Sequence, residues 1–548
     1  MVGVTIQFHN TKGKSLTKQL NTLLENLNSD NFQSIKLESF SVEELVNTRN
    51  YIFNNKTLFE NNIWAIYLWG KIEKQLKMPD AALNCFLLCL QIENNHIESL
   101  RELGFLYAES GRLENAVEYF NKIVNIDKND WAAWNDGGCS LRAMNKTNEA
   151  IKWMKEAAKH NETHAVLYAN IATLLYEIHE YDETQEYLNK AFAIDINQPE
   201  ALHTQAMLFG SLGDHQKCLE YELKTLELKP DYPHAKLGLA LAHLALGNLE
   251  DGFAGYEHRW TGSDKADTKI MVTLQKPQWV GQRVDKYSFL AVMPEQGFGD
   301  MVQFAQLIPR ALDKFHTVFW FVPFEMYRLI HHNFNSQNII VNHDISAVDN
   351  KKIDYETPIM SIPLALGINL ENINATPKYL KANDIEIEKW KNKLENIKGL
   401  KVGIAWTGKP TLGKQKLRSV EPELLSILNQ KNISFISLQK FDKNIESNKP
   451  NLDNFYDYMD ECNDFMDTAA LIENLDLVIS VDTVIVHLAA ALGKPTWLFN
   501  RLGSEWRWMD NKTTSPWYPT MKIYNQTKLG DWSFVLELVR NDLVEFGC

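Results

Sequence analysis

The stretch Ile479–Pro495, ISVDTVIVHLAAALGKP, changes its period in mid-course. Leu477 to Val481 is an almost wholly apolar run, as a strand buried in a parallel sheet must be. Asp482 and Thr483 then supply short polar side chains, and Thr483 to Leu492 carries apolar residues at helical spacing. A buried strand that turns within two residues into a helix is the βα step of an α/β sheet. Free N–H groups at such a helix start, at the positive end of its dipole, favour a phosphate. Thr483 can add a hydroxyl there. Asp482 is an acid at an anion site, so it suits a helix cap or sugar hydroxyls better than phosphate. His487 lies four residues after Thr483 on the same helix face, and is either a donor to phosphate or sugar or a buried helical histidine.

The same step recurs on both sides of this stretch. Leu400–Trp406 reads as a strand that opens into TGKPTLGKQKLRS, with Thr407, Lys409, Lys414, Lys416 and Arg418. Backbone amides and cations at a strand's C-terminal edge suit a diphosphate, while the bland reading is a solvated loop. Further upstream Tyr287–Met293 reads as a strand, Gln296–Asp300 (QGFGD) as a glycine turn and Met301–Leu312 as one helix. Gly297 and Gly299 let a substrate approach the backbone beside Gln296. Asp300, pointed into a cleft, can take a proton from an attacking hydroxyl, or can serve as a helix cap. Strands are also expected at Thr317–Val322, Asn338–Val341, Ile433–Leu438 and Thr496–Phe499, and helices at Pro422–Leu428 and Asp467–Asn474, the second capped by Asp467. The closing helix Trp532–Val544 is expected to fold back over the first half. Two successive α/β halves imply two Rossmann-like domains facing a cleft, residues 263–395 and 396–548.

The first half has a different rhythm. Small residues recur every 34 positions at Gly70, Gly104, Gly138, Ala172, Ala206 and Ala240. Twelve residues after each comes Ala82, Ala116, Ala150, Thr184, Cys218 or Gly252, and four later Phe86, Phe120, Met154, Leu188 or, in the last unit, Tyr256. The fifth unit departs, with Glu222 at the large position. This is the tetratricopeptide pattern, in which small residues let paired helices approach and a large one fills the gap to the next pair. Six repeats are expected over residues 63–262, preceded by a helical cap region, 1–62, with helices at Leu16–Leu27 and Val42–Phe53. Such an array is either a contact groove for a peptide or protein, or a spacer.

The chain has 548 residues, 45% hydrophobic and 23% charged, a globular balance. Seventy acids against 56 Lys plus Arg give a formal charge of −14, which argues against a general nucleic-acid binder. Six cysteines without CxxC or metal-type spacing suit a reducing compartment. No run approaches the roughly 18 apolar residues of a membrane span, and the expected location is cytoplasmic. The acid run Asp453, Asp457, Asp460, Glu461, Asp464, Asp467 reads as a solvated loop, and no metal site is expected.

The second half resembles the heptosyltransferase-type glycosyltransferases (glycosyltransferase family nine). The residues that carry this are QGFGD at 296–300, VGIAWTG at 402–408, SLQK at 437–440, DTAALIENLDLVISVDT at 467–483, HLAAALGKP at 487–495 and SPWYPTM at 515–521. The whole resembles bacterial proteins that join tetratricopeptide repeats to such a domain. The resemblance implies a tetratricopeptide superhelix followed by a GT-B fold, with the donor nucleotide in the C-terminal half. It implies inverting sugar transfer from a nucleotide-sugar to a hydroxyl of a protein or glycan such as lipopolysaccharide, with no obligatory metal and no cofactor. The family's catalytic aspartate falls on Asp300, and its aspartate–threonine pair and histidine on Asp482, Thr483 and His487. Its phosphate-binding threonine and lysine fall on Thr407 and one of Lys409, Lys416 or Arg418. Val484 stands where the family often has glycine, so ADP-heptose is not carried over as donor. Two other classes stay open: an interaction protein with an inactive transferase domain, and an epimerase or hydrolase that acts on the sugar nucleotide alone.

Overall fold

The expected close approach is a steric fact at the glycines of the repeats. A Cβ built on Gly70 would lie 2.6 Å from the ring of Phe86, and one on Gly104 2.7 Å from that of Phe120. The computed structural model describes residues 27–28, 32, 37–263, 274–408, 415–440 and 449–547. It divides into two compact units, Met1–Ala201 and Leu202–Cys548.

In the first unit, helix pairs Ile63–Gln75 and Pro79–Ile92, Ile97–Glu109 and Leu113–Ile126, Trp131–Ala143 and Thr147–Ala158, and Ala165–Glu177 and Tyr181–Ile194 follow one another. Asn62 and Asp130 cap their helices by accepting from the N–H groups of Ala65 and Ala133. Val42–Asn54 is a helix, opened by a Ser41–Glu44 capping box. The expected helix from Leu16 lies, but for Leu27, outside the described residues. The turn inside each repeat holds a residue at positive φ: Lys77, Gly111, Asn145, His179, Gly213 and Gly247, again 34 apart.

The second unit begins with the last repeats. Asp214 caps His215–Leu228, and Pro233 opens Pro233–Ala245, which is followed by Leu249–Tyr256. Glu222, at the aromatic position of the fifth repeat, is buried against Gly238. His203 Nδ1 lies 3.0 Å from both its oxygens, so the carboxylate keeps a polar partner there.

Two parallel sheets follow. The first has the order β3-β2-β1-β4, with β1 Phe289–Met293, β2 Thr317–Phe321, β3 Ile339–Asn342 and β4 Tyr355–Pro358. The second has the order β10-β9-β8-β5-β6-β7: β5 Leu400–Ala405, β6 Ile433–Ser437, β7 Phe455–Tyr456, β8 Leu477–Val481, β9 Thr496–Asn500 and β10 Met521–Asn525. Six helices matter below: α1 Phe298–Ala305, α2 Ile308–Leu312, α3 Asp384–Leu394, α4 Phe465–Glu473, α5 Val484–Ala491 and α6 Ser533–Phe546.

Several expectations need correction. Met301–Leu312 is not one helix, because Pro309 has no N–H to give and its ring meets the carbonyl of Ala305, where α1 ends. Pro422–Leu428 is a 3-10 helix. Asp464, not Asp467, caps α4, accepting from the Met466 N–H at 2.9 Å. The closing helix α6 does not cover the first half. Its Val535, Leu536, Val539 and Leu543 are buried with Val402, Phe435, Ile479 and Phe499 of the second sheet.

The largest core runs through the second unit. Leu244, Phe253 and Tyr256 of the last repeat join Val292 and Trp320 of the first sheet and Val486 and Leu488 of α5 in one apolar cluster.

Candidate active site

β1 ends at Met293 and leads into Pro294–Gly297, which is anchored from below. Arg259, fully buried, donates to Glu295 through Nε at 2.6 Å and Nη2 at 2.9 Å, and to the Ser361 hydroxyl at 2.9 Å. Gln296 takes a left-handed backbone, φ 59°, and its Nε2 donates to the Tyr256 hydroxyl at 2.8 Å. Burial pushes that tyrosine up to about 12, against the opposing pull of Arg507 and the Gln296 hydrogen bond. Gly297 is the N-cap of α1, and its N–H donates to Asp300 Oδ2 at 3.0 Å. The other oxygen of Asp300 accepts from Arg507 Nη2.

α5 meets α1 at Gly299. A Cβ there would come within 2.8 Å of the His487 ring, so only glycine allows this approach. His487 is buried, its Nδ1 2.9 Å from the Tyr518 hydroxyl and its Nε2 3.8 Å from Asp482 Oδ1. Burial, then the Arg507 charge, pushes its imidazole down to about 3, so the ring is neutral. Thr483, not Asp482, is the N-cap of α5; its hydroxyl accepts from the Ile485 N–H at 3.3 Å. Asp482 is thereby left unneeded as a cap. Burial and Glu505 raise its carboxyl, while Arg418 and Arg507 pull the other way.

The Thr407–Arg418 segment is described in part. The Thr407 N–H donates to Gln439 Oε1 at 3.0 Å, and its hydroxyl pairs with Ser419 Oγ at 2.8 Å. Arg418 lies against Gly408. Lys409 and the side chain of Lys416 lie outside the described residues.

The structure thus brings Asp300, Asp482, Thr483 and His487 together at the C-terminal ends of β1 and β8, where ligands of open α/β sheets bind. Arg507, Tyr518 and Trp508 are not singled out by the sequence, and Tyr256 stands there only as the large residue of the last repeat. Trp508 faces the His487 ring at 5.1 Å. Tyr518 stood in the SPWYPTM block without a role. Arg507 had only its setting between two tryptophans as a signal.

The sequence pattern of glycosyltransferase family 9 (heptosyltransferase) matches residues 423–498, which include Asp482, Thr483 and His487 but not Asp300, and a tetratricopeptide repeat pattern matches 97–130. Protein FlbA of Caulobacter vibrioides is 24% identical over 510 residues, 85% of this chain and 81% of FlbA. A barley protein named probable UDP-N-acetylglucosamine–peptide N-acetylglucosaminyltransferase SPINDLY is 25% identical over 137 residues, 24% of this chain and 14% of that protein. A solved structure of MamA, residue 41 to the end, from Desulfovibrio magneticus RS-1 is 19% identical; the match covers 29% of this chain and 91% of that one, with a TM-score of 0.27. Among the described residues no helix is long and apolar enough to cross a membrane. The repeat pattern, the parallel sheets and the family match thus fall on one polypeptide: tetratricopeptide repeats followed by an α/β region that contains a match to glycosyltransferase family 9.

Proposed function

We propose that this protein moves a sugar from a nucleotide-sugar donor to a hydroxyl of a protein or glycan acceptor, with inversion and without a required metal. The observation that carries the reading is Asp300 in the first turn of α1, after β1, with the His487 ring against the adjacent Gly299 and Asp482 3.8 Å from that ring. Residues 263–395 take the acceptor side and 396–548 the donor side. Asp300 removes the acceptor proton, and the oxygen attacks the anomeric carbon opposite the nucleotide. The negative charge on the departing diphosphate is met by the start of α5 at Thr483 and by Thr407, Lys409, Lys416 and Arg418. Asp482 and neutral His487 hold sugar hydroxyls or phosphate oxygens, and Gln296, Gly297 and Gly299 line the acceptor approach. The repeats bind the protein partner or acceptor. The barley relative's name pairs a peptide acceptor with UDP-N-acetylglucosamine, so that donor comes first in the test.

The test is release of nucleoside diphosphate by the full chain from a panel of nucleotide sugars, with and without acceptor extracts, in buffer and in EDTA. Acceptor-dependent release that survives EDTA, with a product of inverted anomeric configuration, is expected. Donor conversion without any acceptor indicates the epimerase or hydrolase instead. Loss of activity in EDTA, restored by Mg²⁺ or Mn²⁺, overturns metal independence.

A further inference from the structure

A guanidinium carries five N–H groups in a rigid fork. Arg507 engages Asp300 through Nη2 alone. Its Nη1 stands 3.6 Å from Glu505, outside hydrogen-bond length, and its Nε is buried and meets no acceptor among the described residues. The side chain is 8% exposed and lies over the Trp506 ring, 4.6 Å from the centroid. A charged donor kept so dry without an acceptor is costly, unless a ligand brings one. Arg418 repeats the feature: its Nε is also buried without an acceptor among the described residues, and the side chain packs at Gly408, just past the end of β5. Both cations act on Asp482 at the end of β8. Two forked cations with spare donors, both bearing on the helix start that follows β8, are matched by a ligand with two linked phosphates.

Asp300 is the other half of the observation. One of its oxygens accepts from Arg507 and the other from the Gly297 N–H. In this arrangement the carboxylate is engaged on both sides, which is not how a base is offered to an acceptor hydroxyl.

We propose that Arg507 is a positioning residue that exchanges partners: it holds Asp300 while the site is empty and turns to the donor diphosphate when that binds, releasing Asp300 for the acceptor. This rests on the donor reading given above and adds an order of events to it. The base becomes available only after the donor is seated, so the empty enzyme does not engage the acceptor proton. The other unpaired N–H groups of Arg507 give the guanidinium somewhere to go, and Arg418 supplies the second grip.

The test uses the full chain and inorganic pyrophosphate, titrated calorimetrically against the wild type, Asp300→Asn, Arg507→Met and the double variant. Asp300→Asn weakens the resting pair, so it binds pyrophosphate tighter by about tenfold, the scale of a charge-assisted hydrogen bond. Arg507→Met binds about tenfold or more weakly, and the double variant binds like Arg507→Met. Arg507→Lys, which keeps the charge but not the fork, recovers part of the affinity. Unchanged or weaker binding by Asp300→Asn overturns the exchange. So does a gain that persists in the double variant, since that gain is charge repulsion from Asp300 alone. Absence of pyrophosphate binding by the wild type overturns it as well. If Arg507→Met does not fold, the Arg507→Lys background carries the same comparison. Nucleotide sugars are titrated in parallel: if they bind and turn over while the Asp300→Asn gain is missing, the exchange falls and the donor reading stands.

Discussion

Asp300 sits at the third position of α1, where an acidic residue serves the Gly297 N–H whether or not it does chemistry. Capping and base catalysis make different claims on its charge. Asp300→Asn keeps the shape, and transfer should fall by about 10²–10⁴-fold while donor binding survives. A variant that turns over at the wild-type rate leaves Asp300 as a cap. His487 makes a second claim at this scale. Folded, its imidazole is neutral down to about 3; unfolded, it takes a proton near 6.5. The unfolded chain therefore binds the extra proton first as pH falls, and stability drops below about 6.5 by up to ~1.4 kcal/mol per pH unit. Denaturation midpoints between pH 7 and 4 should fall less steeply in His487→Gln; equal slopes refute the assignment. His487, Thr483 and Asp482 were legible because they are close in sequence. Arg507 was not, because the partner that gives it meaning lies 207 positions away.

Among elements, nearly all-apolar strands such as Leu477–Val481 were legible to the residue. β4 was missed since its YETP sequence does not look buried. Glu356 can be buried there because it accepts from the N–H groups of Leu274 at 2.7 Å and Lys276 at 3.2 Å. β7 and β10 were missed as well, the first for its two-residue length. The repeats were legible through their small and large positions, but the 34-residue recurrence of positive φ was not, because two of its six residues are Lys77 and His179. An L side chain in that region costs roughly 1–2 kcal/mol that glycine avoids. Lys77 is exposed, so Lys77→Gly should stabilise the first unit by about 0.5–1 kcal/mol, offset in part by the freer unfolded chain. A lower melting temperature in that variant would show that the lysine side chain matters more than its backbone.

For the whole molecule, the sequence period places the end of the repeats near residue 262, whereas packing divides the chain after Ala201. The difference lies in Phe253 and Tyr256, whose rings meet Trp506 at 5.6 and 6.2 Å, and in Leu244 and Ala245, which join the sheets' core. A chain starting at residue 263 should therefore lose cooperative unfolding and donor binding. One starting at Pro199, where a helix begins, should keep both and lose the contacts that the first repeats offer. Thermal unfolding and donor titration of the two shortened chains decide this; a cooperative chain from 263 would overturn it. The two parallel α/β halves were legible from the alternating strands and helices, but nothing in the period distinguishes a repeat that stacks only on its neighbours from one that also carries a sheet.

The loop from Leu502 to Asp510, which delivers Arg507, is seated on the turns of those last repeats. Gly213 admits Leu502, Gly247 lies at positive φ beside Met509, the Asp510 N–H donates to the Ala245 carbonyl at 3.0 Å, and His215 Nδ1 lies 2.5 Å from Asp510. Recombination is thereby constrained. An exchange of repeats between related genes is silent for the catalytic half when its crossover falls before the helix at Pro199. A crossover further downstream must import matching glycines at 213 and 247 and a matching histidine at 215. Descent should consequently keep the last two repeats with their transferase as one inherited block, while the earlier repeats remain free to diverge in number and in partner.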